Sequence, residues 1–167
     1  SVSDPEVDSL TVTVYGRPVS TSTHPPFSLV IIPDTQYYSS SLNGGTPEMF
    51  RTQTRWVVEK KDSLAVVWVD HLGDIVENGD TYPAQWDSAW SAMSLLEDSL
   101  TTGLVDGIPY TPTLGNHDLP GVGYNQFFGV SHFTGRSYYG GHYGSTNDNH
   151  FSLFSASRLD FIVVTFG

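Results

Sequence analysis

Three short stretches of this 167-residue chain carry the residue types from which a hard-metal site is built. Asp34 and Gln36 lie in PDTQ, Asp74 in LGDIVENG, and Asn116, His117 and Asp118 in LGNHD, each just after an apolar run. Carboxylate and amide oxygens are hard ligands and an imidazole completes such a set, a combination suited to Mg, Mn, Fe or Zn rather than copper. A carboxylate between two cations bridges them. Two metals about 3.5 to 4 Å apart clamp the attacking and leaving oxygens of an in-line displacement at phosphorus and supply hydroxide near neutral pH. An acidic chain then accepts an anionic substrate, because the ions reverse the local potential. A single strand-end Asp is more often a turn former or helix cap. The conjunction of three such ends, in order, favours the metal reading.

The elements that must position these residues alternate along the chain. FSLVIIP, 27–33, is a continuous apolar run rich in branched residues and predicts a strand buried on both faces. After a loop of Ser, Asn and Gly, TPEMFRTQTRWVVEKKD predicts a helix with Thr46 as N-cap, Pro47 at its first position, and Glu48 and Lys60 at the ends that suit their charges. Met49, Phe50, Trp56 and Val57 recur near helical spacing. LAVVWVDHLGD is the second buried strand, a helix is expected over Pro83 to Leu100, and IPYTPTLG is the third strand. This alternation implies βαβ units in a largely parallel sheet, where ligands bind outside the carboxyl ends of the strands. The three polar clusters sit at those ends. Beyond Pro120, GYNQFFG reads as a short helix, SYYGGHYGSTNDN as a Gly-rich aromatic loop and HFSLFSASRLDFIVVTF as a hairpin.

Composition bounds the rest. A hydrophobic content of 38% with 13% aromatic residues fits one globular core rather than a disordered chain. The net charge of −11 gives no electrostatic footprint for nucleic acid. The absence of cysteine removes disulfides, thiolate zinc sites and cysteine nucleophiles. No stretch approaches the roughly 20 apolar residues of a membrane span. Residues 1–26 are polar and Pro-punctuated, with one alternating patch, LTVTVYG, and are read as the tail of a preceding segment followed by a linker from Arg17 to Pro26. Low lysine with abundant Ser, Thr, Gly and Tyr leans towards an extracellular or periplasmic location.

PDTQ, LGDIVENG and LGNHD, in this order after three buried strands, resemble the first three motifs of the calcineurin-like metallophosphoesterase family. The likeness runs from about Phe27 to Phe166. Its first motif is usually Asp-x-His, and Gln36 stands where that His would be; bacterial, often secreted, relatives share the PDTQ form. The resemblance implies a β-sandwich flanked by helices, of which 27–167 would hold the N-terminal βαβαβ half and a hairpin. It implies that Asp34 and Gln36 bind one metal, that Asp74 bridges the pair and that Asn116 binds the second. His117 would stabilise phosphoryl oxygens or protonate the leaving group, with Asp118 orienting its ring and Glu77 in a supporting role. The intact protein would hydrolyse a phosphomonoester or phosphodiester, this chain alone being inactive. The family's later histidines fall beyond the motifs present here, so the resemblance also implies a complementary C-terminal fragment or a neighbouring subunit. A non-catalytic extracellular or surface-assembly scaffold and a hydrolase of another ester are the rival readings.

The remaining histidines and the tryptophans are read as structural. His71 is expected to pack or hydrogen-bond within its strand, and His142 and His150 to lie on a surface loop. His24 and His132 carry no signal. Trp56, Trp68, Trp86 and Trp90 follow helix and strand spacing and belong to the core and helix faces.

Overall fold

The described residues form two three-stranded sheets, a two-stranded ribbon and several helices, a mixed α/β arrangement. The computed structural model describes residues 24–167 and, ahead of them, two strands, β1 (Val2–Ser3) and β2 (Ser9–Leu10), that pair antiparallel. Most of LTVTVYG and of the expected linker lies outside the described residues. The first sheet holds β3 (Ser28–Ile32), β4 (Val66–His71) and β5 (Tyr110–Pro112), all parallel, with β4 central. The second holds β6 (Tyr139–His142), β7 (His150–Ala156) and β8 (Leu159–Thr165), antiparallel in sequence order. No described helix is long and apolar enough to cross a membrane.

Between β3 and β4 run α1 (Gln36–Ser40) and α2 (Pro47–Lys60). Thr46 stands at the N-cap of α2, Pro47 at its first position and Lys60 in its last turn, as the sequence predicts, although the Thr46 hydroxyl makes no capping bond. Phe50, Thr54 and Val57 form its buried stripe, whereas Met49 and Trp56 face outward. The turn of helix at α1 replaces an expected loop.

The helix expected over Pro83 to Leu100 is broken into α3 (Ala84–Met93), a 3-10 turn at Ser94–Leu96 and α4 (Ser99–Thr102). Asp98 causes the break by capping a new turn, its carboxylate accepting from Leu100 N and Thr101 Oγ1, both at 3.0 Å. Glu97 is drawn inward at the same point, to Tyr110 Oη at 2.6 Å, His132 Nε2 at 2.6 Å and Arg136 Nη2 at 2.8 Å. His132, silent in sequence, therefore ties α6 (Val130–Phe133) to the turn between Leu96 and α4.

The two sheets meet where Trp68 of β4 stacks on Phe154 of β7, centroids 5.0 Å apart, and meets Tyr138 edge-on at 5.7 Å. Leu29 is the register partner of Trp68 and shares its face of the sheet. The second sheet covers Trp68 but leaves Leu29 and Ile31 exposed at 47% and 51%. FSLVIIP is thus an edge strand buried on alternate residues, not on both faces; the hairpin meets it at Phe27, whose ring packs edge-on against Phe161 at 5.5 Å, and leaves Leu29 and Ile31 uncovered.

Part of the expected Gly-rich loop is strand β6. The ring of Phe151 lies against Gly140, where a Cβ would overlap it, so these glycines let the backbone pair with β7 beneath an aromatic ring. α5 (Val122–Phe128) and the β7–β8 hairpin form where the sequence predicts them. His150 is buried at the start of β7, its Nδ1 2.8 Å from Asn147 O, rather than on a surface loop.

Candidate metal centre at the strand ends

The carboxyl ends of β3, β4 and β5 are neighbours because the strands are parallel and adjacent. Each chain turns sharply there. After β3, Pro33 and Asp34 lead into α1, which opens on Gln36; after β4, Leu72 and Gly73 lead to Asp74; after β5, a 3-10 turn spans Asn116–Asp118. Hydrogen bonds join the turns: Thr35 N donates to Asp74 O at 3.1 Å, and His117 N donates to the Asp74 carboxylate Oδ1 at 2.9 Å.

Asp74 is the hinge of the cluster. It adopts a left-handed backbone, φ 49°, following Gly73 at φ 102°. A Cβ on Gly115 would overlap the Asp74 carboxylate and amide, so glycine at 115 is what lets the third turn close on the second. Asp74 is partly exposed, while Asp34 and Asn116 are exposed and Gln36 is only 8% exposed. Gln36 Oε1 is buried without a hydrogen-bond partner among the described residues, an acceptor that a cation would satisfy.

Asp118 does not orient the His117 ring. Its carboxylate turns inward and accepts from Val76 N and Gly115 N at 2.9 Å each and from Ile75 N at 3.2 Å. Burial nonetheless pushes its pKa up to about 6, outweighing the three amides that draw it down, and the charge of Asp74 adds to the rise. The unpaired amides of the tight Gly73–Glu77 turn capture the carboxylate, so Asp118 is the internal strut of the site. His117 instead faces Glu77, with Nδ1 3.2 Å from Glu77 O and 3.4 Å from Glu77 Oε2. Glu77 thus meets the His117 ring through its backbone carbonyl, while Asp118 braces the turns from within.

Gln85 of α3 carries no motif yet fixes that loop. Its Oε1 accepts from Glu77 N and Asn78 N at 3.1 and 3.0 Å, while its Nε2 donates to Asn78 Oδ1 at 2.7 Å. A polar residue on a helix face looks like any other in sequence; only the neighbouring loop reveals its partners. Clefts flank the loop, one lined by Ser39, Leu42, Tyr82 and Gln85, the other by Asp80, Trp86, Val122 and Phe127.

The metal donors assigned by resemblance are two carboxylates and two amides, and no group of three or more His, Cys, Asp or Glu among the described residues is arranged to hold a metal ion. Over 146 residues, 84% of its length, the chain is 33% identical to the uncharacterized protein YvnB of Bacillus subtilis (strain 168). It spans 10% of the length of that protein. No protein-family profile matches the chain. No solved structure matches it either.

Proposed function

We propose that the full-length protein is a metal-dependent phosphoric ester hydrolase of the calcineurin-like metallophosphoesterase type, acting on a phosphomonoester or phosphodiester. The observation that supports this reading is the meeting of PDTQ, LGDIVENG and LGNHD at adjacent carboxyl ends of β3, β4 and β5, with Asp74 hydrogen-bonded to both other turns. Asp34 and Gln36 would hold one metal, Asn116 the other, and Asp74 both; the orphaned Gln36 Oε1 fits such a ligand. When bound, the ions, Fe, Mn, Zn or Mg, supply a nucleophile from water and neutralise charge on the phosphoryl oxygens.

The chain's own residues do the rest. Asp118 locks the LGNHD turn beneath Asp74, and Glu77 holds the His117 ring by its Nδ1 side, leaving Nε2 to meet the phosphoryl group or the leaving oxygen. The test is elemental analysis of the purified full-length protein with hydrolysis of p-nitrophenyl phosphate and bis(p-nitrophenyl) phosphate. Two metals per site and turnover of at least one ester are expected; a metal-free protein inert on both overturns the proposal. It would favour a scaffold in the extracellular space, a reading to which the amide-rich donor set lends weight.

The same reading supplies a companion for β8. Ile162 and Val164 are exposed on one face of the strand and Phe166 just beyond its end, Leu153 lies across from Ile162 on the same face and is also exposed, and β8 pairs only with β7 among the described residues. An apolar edge of this kind is an association hazard. A strand from the C-terminal part of the full-length protein, or from a neighbouring subunit, is proposed to cover it. Light scattering and intact-mass analysis of residues 1–167 should show self-association or a companion chain. A stable, well-folded monomer overturns this.

A further inference from the structure

The last residue of β4 is a histidine that no step above uses. His71 is fully buried beneath Phe50 of α2, ring centroids 5.6 Å apart, and burial lowers its pKa to about 3, so it is neutral near pH 7. Its two nitrogens have distinct partners. Gly73 N can only donate, and it lies 3.2 Å from Nδ1, which is therefore the bare acceptor. The ring proton then sits on Nε2, which donates to Thr35 Oγ1 at 2.9 Å. The Thr35 hydroxyl donates in turn to Ile75 O at 3.2 Å, an oxygen that also receives Ser39 Oγ at 2.8 Å. The His71 carbonyl meanwhile accepts from Thr113 N at 2.9 Å, at the start of the third turn.

We propose that His71 is a positioning residue for the strand-end centre: a neutral imidazole in a single tautomer that sets the PDTQ turn against the LGD turn and so fixes the distance between their metal donors. The inference rests on the hydrolytic reading. Thr35 stands between Asp34 and Gln36, and Gly73 immediately precedes Asp74, so the two atoms that His71 grips are each one residue from an assigned ligand. The grip is made of one donated and one accepted bond, which an apolar ring of the same size cannot reproduce. Partners behind the ligands of a metal site contribute about 10- to 100-fold in metal affinity.

Mn²⁺ titration of the full-length protein, followed by electron paramagnetic resonance below the unfolding temperature of each variant, tests this. His71→Phe and Thr35→Val should each weaken Mn²⁺ binding by about 10- to 100-fold and broaden the bound-ion spectrum. His71→Gln places an amide N–H near the Nε2 position and should recover most of the affinity lost in His71→Phe, a rescue that general destabilisation would not give. Asp74→Asn, as control, should lose the metal. If Asp74→Asn loses Mn²⁺ while His71→Phe and Thr35→Val bind it within twofold of the native protein, the positioning role is refuted and the hydrolytic reading stands. If the native protein binds no Mn²⁺, Zn²⁺ or Fe²⁺, both fall.

Discussion

Asp74→Ala in the full-length protein is expected to remove the bound metals and abolish turnover together, whereas His117→Ala should keep the metals and lower turnover by about 10² to 10⁴-fold, the range of a positioned acid or base. The difference follows from where the two side chains stand. Asp74 is the residue shared by all three turns, its carbonyl taking Thr35 N and its Oδ1 taking His117 N, so its loss removes the proposed bridge and loosens both neighbours. His117 holds no such place; among the described residues its ring's polar partners are on Glu77. Asp74→Asn separates the two effects, because its amide oxygen still accepts from His117 N while the negative charge is gone. Elemental analysis and ester hydrolysis on the same preparations provide the check. Equal loss of metal from the Asp74 and His117 variants would show that His117 is a ligand rather than an acid or oxyanion partner.

Trp68→Ala should destabilise the chain by about 3 to 5 kcal/mol, the usual cost of truncating a buried Trp. The indole is 1% exposed and lies at the junction of the two sheets, stacked on Phe154 and edge-on to Tyr138. Against a typical total of about 5 to 15 kcal/mol, this loss leaves little margin. Thermal melts should fall by roughly 6 to 20 °C, taking about 2 to 4 °C per kcal/mol for a domain of this size. Trp68→Phe keeps an aromatic partner for Phe154 and removes Trp68 Nε1, a buried donor with no partner among the described residues, so its cost should be much smaller. A melt within 2 °C of the native value for Trp68→Ala would mean that the sheets are held by other contacts.

Much of the fold was legible because local signals and tertiary demands agreed. Branched apolar runs gave the β3–β4–β5 strands, the Thr46–Pro47 start gave α2, and alternating residues gave the β7–β8 hairpin. The failures have specific causes. Asp98 and Glu97 broke a helix whose apolar spacing continued past them, since capping and burial of a carboxylate outcompeted helical propensity. The burial of His150 and the role of His132 depend on what packs against them, Asn147 and Glu97 respectively, and neither neighbour stands beside them in a helical or strand period.

At the candidate site, the sequence by itself determined which chemistry is available: Asp34, Gln36, Asp74, Asn116 and His117 are set at strand ends by the patterning of the strands before them. Which carboxylate serves which neighbour was decided only by the tertiary structure. Asp118 follows His117 in sequence, yet two amides of the tight turn after Asp74 and that of Gly115 bind its oxygens and leave the ring to Glu77, forty residues away along the chain. Likewise His71 ends β4 and Thr35 lies in the turn after β3, and the two meet only because β3 and β4 pair in register. The physical reason is that side-chain type and spacing set what a residue can donate or accept, whereas unpaired backbone groups, which exist only once the turns are folded, compete for those same atoms.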